Sequence, residues 1–479
     1  MSRLRFHYAI IAVLALTAFG CSVGPNYHRP AVSVPPTYRG TPATAPAPTP
    51  SSVAAPSVPA PAASFGDEKW WEVFQDQQLQ TLIRTALKQN YDVRIAAARI
   101  LEAQAQVSVA RGNQLPSAGL IVAGNDSRQP KSSLFRAFDS SYNELALGFQ
   151  WDVDFWGKYR RASEAARAEL LANQWAQKQV TSSLVASVAS AYFVLRAEDL
   201  QLHISQRTLA SYQDSLRLTQ LLVDHGATSM LDVRQAEQLV FNDTGSIATI
   251  EKEIAQQENL ISILLGENPG GVARGMELTA QPHPPEVPAG LPSSLLDRRP
   301  DIRESEAQLM SMNAQIGVAK AAYFPAITLT GVGGVQSIAL SQLFTGPAGL
   351  WSFTGQLTQP LYAGGSLRGG VKLAEAQREQ AALTYQQTIQ QAFREVSNAL
   401  IAYAKDQEFR KQQQLLTRSA EDASRLSDLR YRGGASSYLE VIDADTRYYS
   451  AELTLAQAQL NEMLDYVELY RALGGGWQQ

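Results

Sequence analysis

The sequence predicts a mixed α and β membrane protein whose chain carries two copies of one unit, built of long helices and a few barrel strands. Three observations predict this class. The chain contains an internal repeat, its strand-like segments alternate strictly between apolar and polar residues, and two stretches of roughly 65 residues contain no proline. Strict alternation is typical of strands that separate lipid from water, and long proline-free stretches are typical of long helices.

Composition excludes several partners and cofactors. Of the 479 residues, 18% are charged and the formal net charge is -4. Neither a nucleic acid nor an anionic membrane surface is therefore expected as a partner. Five scattered histidines and one cysteine cannot supply a Cys/His metal cluster. We expect no metal site and no diffusible cofactor.

The N-terminus has the features of a secretory signal peptide, residues 1–20, with Arg3 and Arg5 before an apolar run and small residues at the end. Cys21 follows directly, at the acceptor position of bacterial lipoproteins, so a covalent lipid on Cys21 is expected. The alternative is a plain secreted protein with a chance cysteine. No other run of eighteen apolar residues occurs, so membrane residence has to come from lipid or from β-strands.

Residues 21–66 are predicted to be a lipidated N-terminus and an extended tether. The stretch from Pro30 to Pro61 holds ten of the chain's 23 prolines, mixed with Ala, Ser and Thr. Such a composition cannot bury a core. We expect ordered structure to begin near "WWEVFQDQQLQTLIRTAL", which starts at Trp70.

Two repeats are predicted, repeat 1 over 67–275 and repeat 2 over 276–479. The segment "DVRIAAARILEAQAQVSVARGNQLP" from Asp92 aligns without a gap on "DIRESEAQLMSMNAQIGVAKAAYFP" from Asp301. The segment "HGATSMLDV" from His225 is echoed 208 positions later by "GGASSYLEV" from Gly433. Agreement of separate segments at nearly one offset indicates duplication of the whole unit.

Each repeat contains strand-like sequence after its shared proline. The segment "ELALGFQWDVDF" and its counterpart "LWSFTGQLTQPLY" each follow a shorter strand, "GLIVAGN" and "AITLTGVGGV". One face is predicted to carry the apolar residues Leu145, Leu147, Phe149, Trp151, Val153, Phe155, Trp351, Phe353, Leu357 and Leu361. The other face of the first segment carries Gly148, Gln150, Asp152 and Asp154. This pattern fits a transmembrane barrel strand, although an ordinary half-buried strand of a soluble protein shows it too.

The number of strands predicts a homotrimer. Four strong strands per chain form an open sheet, whose edge amides would be unpaired in hydrocarbon. Two chains would close an eight-stranded barrel filled by its own side chains, and three would close a twelve-stranded barrel with a wet lumen. The polar inner face favours three chains.

The rest of the chain is predicted to be long helix. Roughly 65 residues at about 1.5 Å each extend ~100 Å. After each echoed turn, apolar residues step alternately by three and four, which is coiled-coil periodicity. The first series is Val233, Ala236, Val240, Ile247, Ile250, Ile254, Ile261 and Leu264, and the second is Val441, Ala444, Tyr448, Ala451, Leu455, Ala458, Leu469 and Ala472. Polar residues at Asp243, Gln257, Glu462 and Asp465 argue against a fully dry seam.

The echoed segments are predicted to be the tips of helical hairpins. Gly226 ends one helix and Ser229 or Thr228 caps the next, with Asp232 in its first turn. The second tip uses Gly433 and Gly434, then Ser436 or Ser437, then Glu440. Turn chemistry explains these glycines and serines by itself, and only the repeated Leu-acid-Val hints at a docking surface. The residues leave both interpretations open.

The chain resembles the TolC-like outer-membrane efflux factors, of the lipoprotein (NodT-type) subtype. The segments that carry the resemblance are "CSVGPNYHRP", "WWEVFQDQQL", "LLDRRPDIRESEAQL", "AKAAYFPAITLTG", "QPLYAGGSLRG", "RYRGGASSYLEVIDADTR" and "LYRALGGGW". They run from Cys21 to Trp477 in family order. Asn26 stands where the family usually has Asp, and Gln77 stands where it has Pro.

The resemblance implies a homotrimer with one continuous tunnel, in which a twelve-stranded β-barrel spans the outer membrane and a long α-helical barrel crosses the periplasm. Such proteins are passive exit ducts for an inner-membrane pump, reached through a periplasmic adaptor (membrane fusion) protein. The hairpin tips would contact the adaptor through Gly226, Ser229, Leu231, Gly434, Ser437 and Leu439. An acidic ring would close the resting tunnel, with Asp428 at the ring position and Arg432 one turn away. Asp428 as an ordinary solvated helix residue is the alternative.

No enzyme motif is found. The sequence lacks a Walker loop and an H-E-x-x-H motif, and "GGSLRGG" fails as G-x-S-x-G because Arg368 occupies the second glycine position. Two other functions stay open. One is a duct for protein or oligosaccharide secretion, and the other is a non-conducting periplasmic coiled-coil lipoprotein.

Overall fold

The structure is a computed structural model that describes residues 22–40, 64–130, 138–282, 288–290 and 292–478. The predicted signal peptide and Cys21 lie outside the described residues, as do residues 41–63 of the predicted tether.

The order helix, helix, strand, strand, helix, helix occurs twice along the chain. The helices in the described part are α1 (Trp70–Val73), α2 (Gln77–Gln89), α3 (Tyr91–Gly112), α4 (Lys158–Asp224), α5 (Met230–Leu265), α6 (Pro292–Arg298), α7 (Pro300–Ala321), α8 (Ser366–Arg432) and α9 (Tyr438–Ala472). The strands are β1 (Ser117–Gln129), β2 (Phe138–Asp152), β3 (Ala326–Ser337) and β4 (Gly349–Thr358). Both halves of the chain thus have the same order of elements, and the duplication itself stays a prediction.

The described residues fall into two compact units. The first consists of the described residues 22–31, 98–130, 138–174 and 304–386, and the second of the described residues 32–40, 64–97, 175–282, 288–290, 292–303 and 387–478. The first unit contains the whole sheet, and the second contains both helical turns that follow α4 and α8.

The first unit is built on a four-stranded antiparallel sheet of order β1-β2-β3-β4, which confirms the prediction of four strands. Leu147 lies opposite Leu120 on β1 and Gly333 on β3, and Gly333 lies opposite Trp351 on β4. Directly opposite residues share a face, so these define one apolar face. That face also carries Val122, Leu145, Phe149, Leu329, Phe353 and Leu357. Trp351 is 83% exposed and Leu147 is 64% exposed, so this face of the single chain points outward.

The opposite face of the sheet is polar through much of its length. Its residues include Gln150, Asp152, Thr328, Thr330, Ser352, Thr354 and Gln356. The alternation of apolar and polar residues in the sequence therefore correctly predicts which side chains of the two strand pairs share a face of the sheet.

The ends of the strands differ from the prediction. β2 ends at Asp152, so Val153 and Phe155 lie beyond it, and β4 ends before Leu361. Asp154 does not line a strand face, because its carboxylate accepts the backbone N–H groups of Tyr159 (3.0 Å) and Arg160 (2.8 Å) at the start of α4. A carboxylate at a helix N-terminus satisfies amides that have no partner within the helix. β1, in contrast, continues past the apolar "GLIVAGN" to Gln129 because its backbone still pairs with β2.

The two proline-free stretches form α4 and α8, each of 67 residues, which confirms the predicted long helices. By length and composition, α4 could cross a membrane. Its most apolar window is 72% buried within the chain, however. It therefore packs as a core helix.

Much of the predicted helical periodicity is confirmed by burial in the second unit. Val233, Ala236, Ile250, Ile261, Val441, Ala451, Ala458, Leu469 and Ala472 are buried, and the other predicted positions are partly buried. The predicted polar positions lie among them: Asp243 is 1% exposed, and Glu462 is fully buried in an ion pair with Arg410. The apolar seam between the helices therefore contains buried charged side chains, as predicted.

The Asp76 carboxylate connects three segments of the second unit by hydrogen bonds. It is the N-cap of α2, accepting from the Gln78 and Leu79 amides, and it also accepts from Tyr192 (2.8 Å) and from the Met276 amide (2.8 Å). Burial by itself would raise the pKa of Asp76. The hydrogen bonds from Tyr192, Gln281 and these amides outweigh burial and lower that pKa.

Replacing Asp76 with Ala is expected to destabilise the protein by on the order of 3 kcal/mol, because a cap and several charge-assisted hydrogen bonds are lost together. The folded pKa is lowered, so the stabilisation is fully present above the unfolded pKa of about 4 and disappears as the pH falls through the folded value. Thermal unfolding at pH 7 and in acid would measure both effects. Asp214→Ala, which removes an exposed i,i+3 pair with Arg217, is the control and should change little. An unchanged midpoint for Asp76→Ala at pH 7 would contradict this account.

Candidate functional site

The turn between α4 and α5 is a Schellman motif, in which the helix ends with a residue in the left-handed region. Gly226 has a φ of 72°. The Ala227 amide donates to the Leu222 carbonyl (2.8 Å) and the Gly226 amide donates to the Val223 carbonyl (2.9 Å). These two bonds satisfy carbonyls at the helix end. Glycine is needed for the backbone alone, because a Cβ there would meet nothing within 4 Å.

The turn between α8 and α9 repeats this geometry. Gly434 has a φ of 70°. The Ala435 amide donates to the Arg430 carbonyl (2.8 Å), and the Gly434 amide donates to the Tyr431 carbonyl (2.9 Å). Of the two glycines predicted for this turn, only Gly434 adopts the left-handed conformation. Both echoed segments are therefore helical hairpin tips, as predicted.

The helices that leave the tips begin at Met230 and Tyr438, directly after the N-cap residues Ser229 and Ser437. Asp232 accepts from the Ser229 amide (3.4 Å) and from the Thr228 hydroxyl. A carboxylate in the first turn also interacts favourably with the helix dipole. Ser229 and Ser437, and not Thr228 and Ser436, therefore occupy the N-cap positions.

The two tips pack against each other through a small apolar cluster of Ala236, Tyr438 and Val441, with Leu216, Tyr431 and Ile442 against it. The hydroxyl groups of Tyr438 and Ser215 are 2.9 Å apart, and the rings of Tyr431 and Tyr438 are 5.4 Å apart. Sequence reasoning missed these two tyrosines. The signal was present, since they flank the turn in "RYRGGASSYLEV".

A groove of about 810 Å³ lies between the tips. Its lining includes Leu222, Thr228, Tyr431 and Tyr438 together with the predicted residues Leu231, Arg432, Gly434, Ser437 and Leu439. Leu231 and Leu439 are 64% and 61% exposed. Gly226 and Ser229 are exposed on the first tip but do not line the groove. The structure therefore brings together four of the six predicted docking residues.

Asp428 and Arg432 form the predicted i,i+4 pair, with 2.9 Å between the Arg432 Nε and the Asp428 carboxylate. Both side chains are more than a third exposed. Asp445 on α9 accepts from Ser424 (2.6 Å), and its pKa is raised by burial and by the charge of Asp428. Asp224 stands at the position equivalent to Arg432 in the first predicted repeat, but within the described residues no ion pair joins these two side chains. The pairing runs along α8, not across the hairpins.

In the part of the chain that the structure describes, no group of three or more His, Cys, Asp or Glu side chains is placed to hold a metal ion.

A sheet with one apolar face in the first unit, and helical hairpins with exposed tips in the second, define the class of outer-membrane export channel subunits. The family model described as "Outer membrane efflux protein" matches residues 82–267 and again residues 291–475. The chain belongs to this family.

Two relatives illustrate the similarity. The chain is 35% identical to the probable efflux pump outer membrane protein TtgC of Pseudomonas putida, over 97% of this chain and 95% of the relative. It is 34% identical to the cation efflux system protein CusC of Escherichia coli, over 97% of this chain and 98% of that protein.

Solved structures share the fold over nearly the whole chain. The outer membrane channel MtrE of Neisseria gonorrhoeae, in its open state, matches with a TM-score of 0.83 and 31% identity, covering 96% of this chain and 99% of the other. The outer-membrane channel OprN matches with a TM-score of 0.86 and 28% identity, covering 96% of this chain and all of the other.

Proposed function

We propose that this outer-membrane efflux protein acts as a homotrimer and is the passive exit duct of a tripartite pump. The observation that carries the proposal is the sheet of the first unit, with its exposed apolar face, its polar opposite face and its two edges at β1 and β4. Because a membrane-embedded sheet has to pair its edge amides, β4 of one chain would pair with β1 of the next. Three chains close twelve strands around a lumen.

The polar face of the sheet would line that lumen. Hydroxyl and amide side chains such as Thr330, Thr354 and Gln356 interact with water and with many solutes without binding one tightly. A duct lined in this way selects little, and the choice of cargo is left to the pump. Relatives are named for the efflux of toluene, antibiotics and cations. We propose small toxic compounds or drugs as cargo.

The tips of the second unit would meet the periplasmic adaptor, which links the duct to the inner-membrane pump. Leu231 and Leu439 are exposed beside the groove between the tips, and exposed leucines at a groove are typical anchors for another helix. Asp428 and Arg432 would form the periplasmic gate. The mature chain would also be held in the outer membrane by lipid on Cys21.

Mass and conductance measured on one sample test this proposal. Cross-linked protein in mild detergent is expected to run as a trimer, and trimers added to a planar bilayer are expected to open ion-conducting channels. A conducting monomer or dimer would contradict closure by three chains. Trimers that never conduct would favour the non-conducting coiled-coil lipoprotein. Deletion that stops secretion of a protein or oligosaccharide, without raising dye accumulation in cells, would favour the secretion duct.

A further inference from the structure

The first residues after the lipidation position are held in a socket of the first unit. We call Ser22–Arg29 the N-terminal strap. The Val23 amide donates to the carbonyl of Trp156 (3.1 Å), in the short link between β2 and α4. The strap thus meets the chain where the sheet gives way to helix.

The backbone of the strap lies directly on α7. Gly24 has a φ of 104°, and a Cβ there would lie 2.5 Å from the Cα of Gly317. A Cβ on Gly317 would in turn lie 2.8 Å from the Val23 carbonyl oxygen. Only two facing glycines allow this approach. The Asn313 amide group also donates to the Pro25 carbonyl (3.0 Å).

Two buried charged side chains are directed at the strap. Arg161, 5% exposed, donates to the carbonyls of Val23 (3.2 Å) and Gly24 (3.3 Å) and to the Asn26 side-chain oxygen (2.9 Å).

Glu306, 4% exposed, accepts from the Tyr27 hydroxyl (3.2 Å) and from Arg29 (2.9 Å). Burial and the Glu306 charge raise the pKa of Tyr27, so this hydroxyl keeps the proton that it donates.

If the N-terminal strap detached, Arg161 and Glu306 would lose these hydrogen bonds while they remained buried. Arg161 would still pair with Glu164 (2.7 Å), but it would lose three hydrogen bonds, and a buried charged group that loses hydrogen-bond partners destabilises the folded chain. Arg161 lies at the start of α4 and Glu306 lies on α7, so the strap also joins segments that come from the two predicted repeats. The expectation that ordered structure begins near Trp70 is therefore wrong for Ser22–Arg29, which precede the tether predicted from Pro30 onward.

We propose that the N-terminal strap is a rigid positioning device, which holds Ser22 at the junction between sheet and helix so that an acyl anchor on Cys21 enters the membrane beside the end of the sheet from which α4 leaves. Arg161 and Glu306 are its positioning residues. The functional meaning rests on the proposed lipidation of Cys21, whereas the rigidity of the strap does not.

A nitroxide spin label on His28→Cys in the full-length protein tests the proposal. His28 is exposed and lies between Tyr27 and Arg29, so its label reports the motion of the strap. We expect a slow-motion spectrum from the labelled His28→Cys protein and a spectrum of a mobile label once Arg161→Ala is added to it. Arg167→Ala, which removes an exposed arginine further along α4, is the matched control and should leave the slow spectrum unchanged. Trimer yield and conductance report whether each variant has folded.

Three outcomes separate the ideas. A mobile label in the His28→Cys protein, or an immobile label after Arg161→Ala is added, would overturn the proposal of a rigid strap. If Arg161→Ala does not fold, Arg29→Ala tests the same socket from the strap side, and it too should release the label. Uptake of label by the protein without His28→Cys would show a free Cys21 thiol and contradict lipidation. In that case, subtracting the spectrum of the labelled protein without His28→Cys from the spectrum with it would still give the motion of the label at position 28.

Discussion

Replacing Phe353 with Arg is expected to remove most of the trimer from the outer membrane. Phe353 lies near the middle of β4, on the apolar face, and is 61% exposed in the single chain. An arginine on the lipid face of a barrel at the bilayer midplane costs roughly 2–4 kcal/mol. The proposed homotrimer would carry the change in each of its chains, so the effect on assembly should be larger than for one site.

Ser352→Arg is the matched control, because it places the same side chain one residue away on the polar face, where Ser352 lies opposite Val332. This variant should insert and form trimers, and the added charge should shift ion selectivity. The trimer band of outer-membrane extracts and single-channel recordings would measure both variants. Equal trimer yields for Phe353→Arg and Ser352→Arg would mean that the face assigned to lipid is wrong.

The facing of the sheet could be deduced from the sequence because it depends on a local rule. Alternation with a period of two fixes which side chains share a face, and so Leu147, Phe149 and Trp351 were predicted correctly. The strand ends were not, because Asp154 at the end of β2 is used to cap α4. Alternation continues through this residue, and only the start of the next helix shows its use.

Contacts between distant residues account for the other failures. Nothing near Asp76 in the chain indicates that Tyr192 and Met276 donate to it. The N-terminal strap was missed for the same reason, since its partners Arg161 and Glu306 lie more than a hundred residues away. Composition indicates a tether from Pro30 onward, and composition carries no information about contacts between Ser22–Arg29 and residues elsewhere in the chain.

The helical tips combine a feature that the local sequence predicts with one that it does not. Turn chemistry is local, so Gly226 and Ser229 were assigned to the correct turn. The packing of Tyr431 and Tyr438 between the tips depends on the meeting of two hairpins. The role of the tips in docking and gating stays a prediction, which a change at Asp428 would test.

Replacing Asp428 with Ala is expected to raise single-channel conductance and to weaken block by trivalent cations. In one chain the exposed pair of Asp428 with Arg432 is worth only about 0.3–0.5 kcal/mol, so the variant should fold normally. Around a threefold axis, three such carboxylates would create a negative ring, which binds multivalent cations and is held together by the neighbouring guanidinium groups. Asp445, whose pKa is raised by burial and by Asp428, should ionise more readily once that charge is gone. Asp422→Ala is the control, because it removes another exposed, arginine-paired carboxylate from the same helix, and it should leave conductance and block unchanged. If Asp428→Ala shows wild-type conductance and wild-type sensitivity to trivalent cations, Asp428 is a solvated helix residue, and the constriction has to be sought at Leu222 or Leu429.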